Sequence, residues 1–149
     1  MTIEASRIVA RRDPLLSATL IEVGPLPGVR AGSGLAWDGN RLLVIQDDAF
    51  AVASVDPASR EVTRWILSGE GDGLAKTVKP DFEAVFVDSN RQLYVVGSGS
   101  KPGRRSWARL DLASRTVELI QPKGLYEAIG RAIARVPNIE GSVLVGDRL

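Results

Sequence analysis

The chain has 149 residues and carries 19 Lys and Arg against 18 Asp and Glu, for a net charge of +1. This length suits one domain, and the near-neutral charge offers no bulk attraction for nucleic acid or an anionic membrane. Cysteine and histidine are both absent. Their absence excludes disulfides, thiolate nucleophiles and the catalytic triads or zinc sites that need an imidazole. Chemistry is left to carboxylates, Lys, Arg, Tyr, Ser or a hard cation.

The amino-terminal stretch Met1–Arg12 lacks the apolar core of a signal peptide, because Glu4, Arg7 and Arg11 interrupt it. Elsewhere the apolar runs are short and broken by charges, whereas a membrane span needs about 20 mostly apolar residues. We therefore expect a cytoplasmic protein that has no membrane partner.

The first predicted β unit covers residues 33–67. It opens with a short apolar run, turns at Asp38–Asn40 and continues through an apolar strand at Leu42–Ile45. A later turn at Asp56–Arg60, with the sequence Asp-Pro-Ala-Ser-Arg, joins two alternating runs. An aspartate at the start of a turn accepts hydrogen bonds from backbone amides two residues on, which predicts an Asx turn here.

The second unit, residues 81–121, repeats this order. Its turns are Asp88–Asn90 and Asp111–Arg115, and its apolar strand is Leu93–Val96. The Asp-x-Ala-Ser-Arg motif recurs at an offset of 111 − 56 = 55, and the Asn-Arg pair at 90 − 40 = 50. A longer loop at residues 97–105 accounts for the difference.

Two further features follow the second unit. A short helix is predicted near 125–136, where apolar residues have amphipathic spacing: Leu125, Ile129, Ile133 and Val136. The run Asn138–Gly141 then resembles Asp81–Ala84, with 138 − 81 = 57. It predicts the start of a third unit at residue 138.

Four strand-like runs per unit with a period of about 50 are typical of β-propeller blades. The predicted fold class is therefore all-β. Residues 1–149 are expected to form a single, partial β-propeller domain of about two four-stranded blades plus the start of a third. An antiparallel sandwich with accidental similarity is the alternative. Because propellers have about 4–8 blades, the chain is either part of a longer propeller or assembles with further copies that close the ring.

Five stretches carry a family resemblance: Ser33–Ala36, Asp47-Asp48, Pro80–Ala84, Leu93–Ser100 and Asn138–Gly141. They resemble the phytase-like, six-bladed β-propeller proteins, whose relatives include bacterial proteins described as having esterase-like activity of phytase. The resemblance covers most of the chain but only the first half or less of such a propeller. It implies axial carboxylates and a divalent ion, as in related propeller hydrolases and lactonases.

Glutamates begin the first strand of two units, at Glu83 and Glu140. Because that strand lines the central channel of a propeller, we expect their carboxylates to converge near the axis. Asp81 and Asn138 lie two residues upstream and add oxygens. Such ligands suit Ca²⁺ or another divalent cation, and the absence of His favours these ions over zinc. The alternative is that the two glutamates brace backbone amides between blades.

Two other groups are candidates. Asp47 and Asp48 follow a predicted strand, where they could bind a cation or supply a general base with a raised pKa. A solvated hairpin end, with Asp48 capping the turn, is the alternative. Arg104 and Arg105 lie in a basic, Gly-rich loop and could bind a phosphate or carboxylate bidentately. The alternative for this loop is a solvated hairpin tip.

The first functional hypothesis is a divalent-cation-dependent hydrolase of phosphoesters or other esters, with no organic cofactor and a small-molecule ligand. The candidate metal ligands are Glu83, Glu140, Asp47, Asp48 and Asp81, and the candidate substrate-binding residues are Arg104, Arg105 and Asn138. The alternatives are a non-catalytic propeller that binds a protein or small ligand, and a truncated remnant without independent activity.

Overall fold

A computed structural model describes residues 13–20, 23–69, 71, 78–122 and 124–146. Met1–Arg12, on which part of the expectation of a cytoplasmic protein depends, lies outside the described residues. In the described part of the chain, no helix is long and apolar enough to cross a membrane.

The described residues form two four-stranded antiparallel sheets and one short α-helix, so the prediction of a mostly β chain with a short helix is confirmed. The first sheet has strands in chain order: β1 (Gly32–Trp37), β2 (Leu42–Gln46), β3 (Ala51–Val55) and β4 (Val62–Ile66). The second sheet has the same order: β5 (Phe82–Val87), β6 (Gln92–Gly97), β7 (Trp107–Asp111) and β8 (Val117–Ile120). Helix α1 spans Leu125–Ile133.

Aspartates fix the turns that precede β4 and β8. Asp56 and Asp111 occupy equivalent turns, and the Oδ1 of each accepts two backbone amide hydrogen bonds of 2.7–2.9 Å. The Asx turns expected from the repeated motif are therefore present. Because these amides stabilise the ionised form, they lower the pKa of both carboxyls, and the pKa of Asp111 falls to about 2.

The two sheets differ by one residue in their first turn. The Asp38 amide donates to the Arg41 carbonyl, whereas the Asp88 amide donates to Gln92, because Arg91 is inserted with a left-handed φ of 60°. Equivalent residues of strands β2 and β6 are therefore separated by 92 − 41 = 51 positions in the chain. The Asn-Arg pair, at an offset of 50, predicts an alignment that is one residue off. A shift of one residue exchanges the two faces of a strand, so the sequence repeat alone assigns β6 residues to the wrong face.

The sheets pack through faces that are not equivalent. The shared core takes Leu43 and Ile45 from β2 and Leu93 and Val95 from β6. At the offset of 51, Leu93 and Val95 correspond to Leu42 and Val44, and these lie on the opposite face of the first sheet, in a separate cluster. The first sheet thus contacts the second through one face, and the second sheet contacts the first through the face that corresponds to the opposite side of the first sheet.

Helix α1 packs on the outer face of the second sheet mainly through one residue. Its buried residue is Tyr126, whose hydroxyl accepts a hydrogen bond from Trp107 Nε1 at 2.9 Å and donates to the Gly97 carbonyl at 2.6 Å. The predicted apolar stripe is wrong in detail, since Ile133 and Val136 are exposed. Tyr126 takes the buried position because its hydroxyl satisfies two buried polar groups of the sheet.

The segment after α1 repeats one backbone contact that joins the second sheet to the first. The Ile139 amide donates to the Ser98 carbonyl at 2.8 Å, just as the Asp81 amide donates to the Asp47 carbonyl at 3.1 Å. This alignment gives 139 − 81 = 58, one residue more than the sequence echo. Ile139 and Leu144 pack on the second sheet, but residues 138–144 form no strand.

Candidate functional site

The candidate site lies where β2 ends and β5 begins. Asp47 follows β2, Asp81 precedes β5, and Glu83 is the second residue of β5. One carboxylate oxygen from each of the three lies within 4.8 Å of the others. The two sheets therefore bring together three of the five predicted metal ligands, which we call the carboxylate cluster (Asp47, Asp81 and Glu83).

A β-bulge places Glu83. The register of β5 against β6 shifts between Phe82 and Ala84, which leaves Glu83 as the extra residue. Strand β1 has the same irregularity around Ser33, and the Ser33 hydroxyl donates to the Phe82 carbonyl of the second sheet. Because bulges re-aim side chains and are common beside active sites, this position gives a carboxylate an unusual direction at the strand end.

Asp81 is the buried hub of the cluster. Its φ of 56° is left-handed, a conformation that aspartate tolerates better than most residues. Its carboxylate accepts hydrogen bonds from Ser98 Oγ at 2.6 Å and from Arg104 Nη1 at 2.8 Å, and pairs with Lys79 Nζ at 3.1 Å. Burial opposes ionisation of Asp81, but these donors outweigh it and hold its pKa below the ordinary value.

Lys79 lies between two of the carboxylates. Its ammonium donates to Asp47 and pairs with Asp81, and its side chain is only 16% exposed. The hydrogen bond to Asp47 raises the pKa of Lys79 by more than burial lowers it. Lys79 is not predictable as a member of the site from the sequence, because 32 residues separate it from Asp47 and no local pattern links them.

The pKa values of Glu83 and Asp81 are shifted in opposite directions. Burial, and then the negative charges of Asp81 and Glu140, raise the pKa of Glu83. Neighbouring carboxyls whose pKa values are pushed apart are the arrangement from which enzymes draw separate acid and base roles. Glu83 is the member of this pair that takes up a proton more readily.

The other predicted oxygen ligands lie beside the cluster. Asp48 accepts a hydrogen bond from Arg30 Nη2 at 2.6 Å, while its Oδ1 is buried with no hydrogen-bond partner among the described residues. The Asn138 side chain donates to Glu140. Glu140 therefore acts on Glu83 through its charge, and its oxygens are not in the group of three.

Both predicted substrate-binding arginines contact carboxylates of the chain itself. Arg104 binds Asp81. Arg105 Nη1 lies 2.7 Å from Glu127 of α1, and its guanidinium carbon lies 5.9 Å from the centre of the Tyr126 ring. Arg104 thus belongs to the site as a partner of Asp81, whereas Arg105 helps to hold α1.

A family of unknown function, DUF6929, matches residues 28–149, which include both sheets, α1 and every candidate site residue. The chain belongs to this family. A search of curated proteins finds no match to the chain.

In this DUF6929 chain, the charges of the site nearly balance. The three acids of the carboxylate cluster contact or adjoin two cations, Lys79 and Arg104, which leaves one net negative charge. The donor set consists of carboxylate oxygens, the ligands that hard cations such as Ca²⁺ and Mg²⁺ take. The residues therefore fit a divalent cation, provided that the Lys79 ammonium moves aside.

Proposed function

We propose that the chain forms part of a phytase-like β-propeller and that its carboxylate cluster holds a divalent cation for hydrolysis of a phosphoester or another ester. The observation that carries this proposal is the convergence of Asp47, Asp81 and Glu83, contributed by two sheets, with oxygens within 4.8 Å of one another. Carboxylates from successive blades would meet in this way at the axis of a propeller.

The direction of packing supports the propeller. The second sheet contacts the first through the face opposite to the one that the first sheet uses. The same hydrogen bond then links Asp81 to Asp47 and Ile139 to Ser98. When each unit packs its second face against the first face of the next, the units follow one another in one direction, as blades do in a ring. Two related sheets in a symmetric sandwich would instead pack the same face of each against the other.

Each residue has a proposed role. Asp47 and Asp81 are cation ligands, since both already hold the ammonium of Lys79. A bound divalent cation polarises an ester oxygen and lowers the pKa of water. Glu83 accepts the proton from the attacking water, because its raised pKa suits a general base. Arg104 fixes the orientation of Asp81.

An assay of the full chain on a panel of phosphomonoesters and carboxylic esters tests the proposal. We expect turnover with Ca²⁺ or Mg²⁺, none after chelation by EDTA, and loss of turnover in Glu83→Gln. Glu61→Gln is the matched control, because Glu61 is an exposed glutamate in the turn before β4. Equal turnover with and without chelator, or full activity of Glu83→Gln, would contradict the proposal.

The contacts of Lys79 favour a second candidate, a non-catalytic propeller that binds a ligand on one face. In that case the network of Asp47, Lys79, Asp81 and Arg104 is a brace that joins β2 to β5. This candidate predicts no turnover on any ester. It also predicts that removing Lys79 lowers stability without creating tighter cation binding.

A further inference from the structure

Three arginines lie in turns at the ends of the strands opposite to the carboxylate cluster. Arg41 belongs to the turn between β1 and β2, Arg91 to the turn between β5 and β6, and Arg115 to the turn between β7 and β8. The carboxylate cluster lies at the other ends of β2 and β5. We call these residues the arginine cluster (Arg41, Arg91 and Arg115), and none of them has a role in the proposed cation site.

Arg115 is stacked on an aromatic ring but makes no side-chain hydrogen bond. Its guanidinium carbon lies 3.3 Å from the centre of the Trp65 ring in the first sheet, and this stacking fixes the plane of the group. Within the described ranges, its N–H donors have no hydrogen-bond or ion-pair partner. The planar fork of a guanidinium fits two oxygens of a phosphate or carboxylate, so Arg115 presents a preoriented pair of donors.

Arg41 and Arg91 add positive charge beside Arg115. Arg91 crosses to the first sheet, where its Nη1 donates to the Asp38 carbonyl at 3.2 Å. Arg41 Nη2 makes only long hydrogen bonds of 3.4 Å to the carbonyls of Ser54 and Glu61, and Arg41 Nε is buried with no hydrogen-bond partner among the described residues. Both side chains therefore keep hydrogen-bonding capacity for a ligand.

The two aspartates beside these arginines are used by their own turns. Asp38 and Asp56 each accept two backbone amide hydrogen bonds through Oδ1. Burial lowers the pKa of Arg115, and the positive charge of Arg41 adds to this effect, while the charge of Asp38 opposes it. Three guanidinium groups thus face two carboxylates that are directed at backbone amides, which leaves one net positive charge for an anion to neutralise.

The backbone supports a role for two of these side chains. Arg91 and Arg115 have left-handed φ angles of 60° and 63°, where glycine or asparagine is the ordinary residue. Such strain persists where the surrounding structure enforces it, as at ligand-binding sites.

We propose that the arginine cluster binds a phosphate group, with Arg115 as the bidentate ligand and Arg41 and Arg91 as further donors. A phosphate group offers at least three acceptor oxygens to several guanidinium groups at once, whereas a carboxylate offers two. The proposal does not rest on the cation site, because the two sites lie at opposite ends of the strands and a calcium titration measures the other one separately.

Isothermal titration of the full chain with inorganic phosphate at fixed ionic strength tests the proposal. Arg115→Asn and Arg91→Asn should each bind phosphate at least about tenfold more weakly, because each loses charge-assisted hydrogen bonds. Both should fold, since asparagine tolerates a left-handed φ. Arg115→Lys keeps the charge without the fork and should also bind more weakly. Arg60→Asn is the matched control, because Arg60 has the same place in the repeated motif and a φ of 62° but lies beside Gly24.

Two further probes define the ligand. Acetate should bind more weakly than phosphate, and tighter binding of acetate would overturn the assignment to phosphate. Binding of phenyl phosphate extends the site to phosphomonoesters, whereas its failure to bind restricts the site to free phosphate. No phosphate binding by the unmodified chain, or an equal loss in Arg60→Asn, would overturn the proposal. If Arg115 only braces the sheets through Trp65, Arg115→Asn would lower stability in urea and leave phosphate binding unchanged, which would also overturn it.

Discussion

Replacing Lys79 by methionine should convert the carboxylate cluster into a tighter cation site. The ammonium donates to Asp47 and lies 3.1 Å from Asp81 Oδ1, so it occupies the place where a cation would meet the same oxygens. Methionine keeps much of the apolar length of the side chain and removes the charge. Lys79→Met therefore removes a competitor and leaves the three carboxylates in place.

The size of the effect follows from the charges. Two unit charges 4 Å apart interact with about 4 kcal/mol at the effective dielectric constant of a protein surface. The repulsion between Lys79 and a divalent ion is larger in principle, but the ammonium moves and solvent screens part of it. If about a third of the single-charge figure survives, affinity rises by about 1.4 kcal/mol, which is a factor of about 10 in Kd.

Isothermal titration with CaCl₂ and MgCl₂ at fixed ionic strength measures this change. Lys79→Met should bind at least about tenfold more tightly than the unmodified chain. Glu83→Gln added to it should weaken binding again, because it removes a negative charge whose oxygen lies within 4.8 Å of the two ligand carboxylates. Lys101→Met is the control, because Lys101 is an exposed lysine in the loop after β6. Equal affinity of Lys79→Met and the unmodified chain would refute the reasoning, as would equal gains in both lysine variants.

Three further predictions concern stability. Tyr126→Phe leaves Trp107 Nε1 and the Gly97 carbonyl unpaired, so urea denaturation should show a loss of about 1–3 kcal/mol per buried group. Asp111→Asn should make the free energy of unfolding depend less on pH in acid. The pKa of Asp111 is lowered from 3.8 to about 2, so its carboxylate stabilises the fold above pH 3.8, and this stabilisation is lost as the pH falls to about 2. Urea midpoints measured at pH 5 and pH 2 test this prediction. Glu83→Gln should raise Tm at pH 7, because a raised pKa makes the ionised carboxyl unfavourable in the fold, and the gain should disappear in scans below the ordinary pKa of Glu83.

The sequence predicts the strands well because their chemistry is local. Alternating apolar residues and the aspartate turns at Asp56 and Asp111 place β1–β4 and β5–β8 within a residue or two of the expected units. The face of β6 is not predicted, since the inserted Arg91 shifts the strand by one residue while the Asn-Arg motif hides the shift. A repeat motif in a turn thus fixes the turn but not the register beyond it.

The site is predicted less completely, for a related physical reason. Asp47, Asp81 and Glu83 stood out as carboxylates at strand ends, and the structure brings them together. Which cation faces which acid depends on the approach of two sheets. No local pattern marks Lys79 as a member of the site, and the contact of Arg104 with Asp81 adds to its predicted role as an anion ligand. Ion pairs between residues of different sheets do not produce a periodic pattern in the sequence.

Three costly features coincide at the start of β5, and their coincidence supports a functional role. Asp81 holds a left-handed φ of 56°, Glu83 occupies a bulge, and the pKa of Glu83 is raised by burial and neighbouring negative charge. An alanine or serine at position 83 would avoid the electrostatic cost, as Ser33 does in the matching bulge of β1. Strain and unfavourable charge of this kind accumulate at functional sites, where they persist because the surrounding structure enforces them. If the role of the cluster were only to brace the sheets, Glu83→Gln would stabilise the fold and cost nothing else, so measuring stability and cation binding in that one variant separates the two roles.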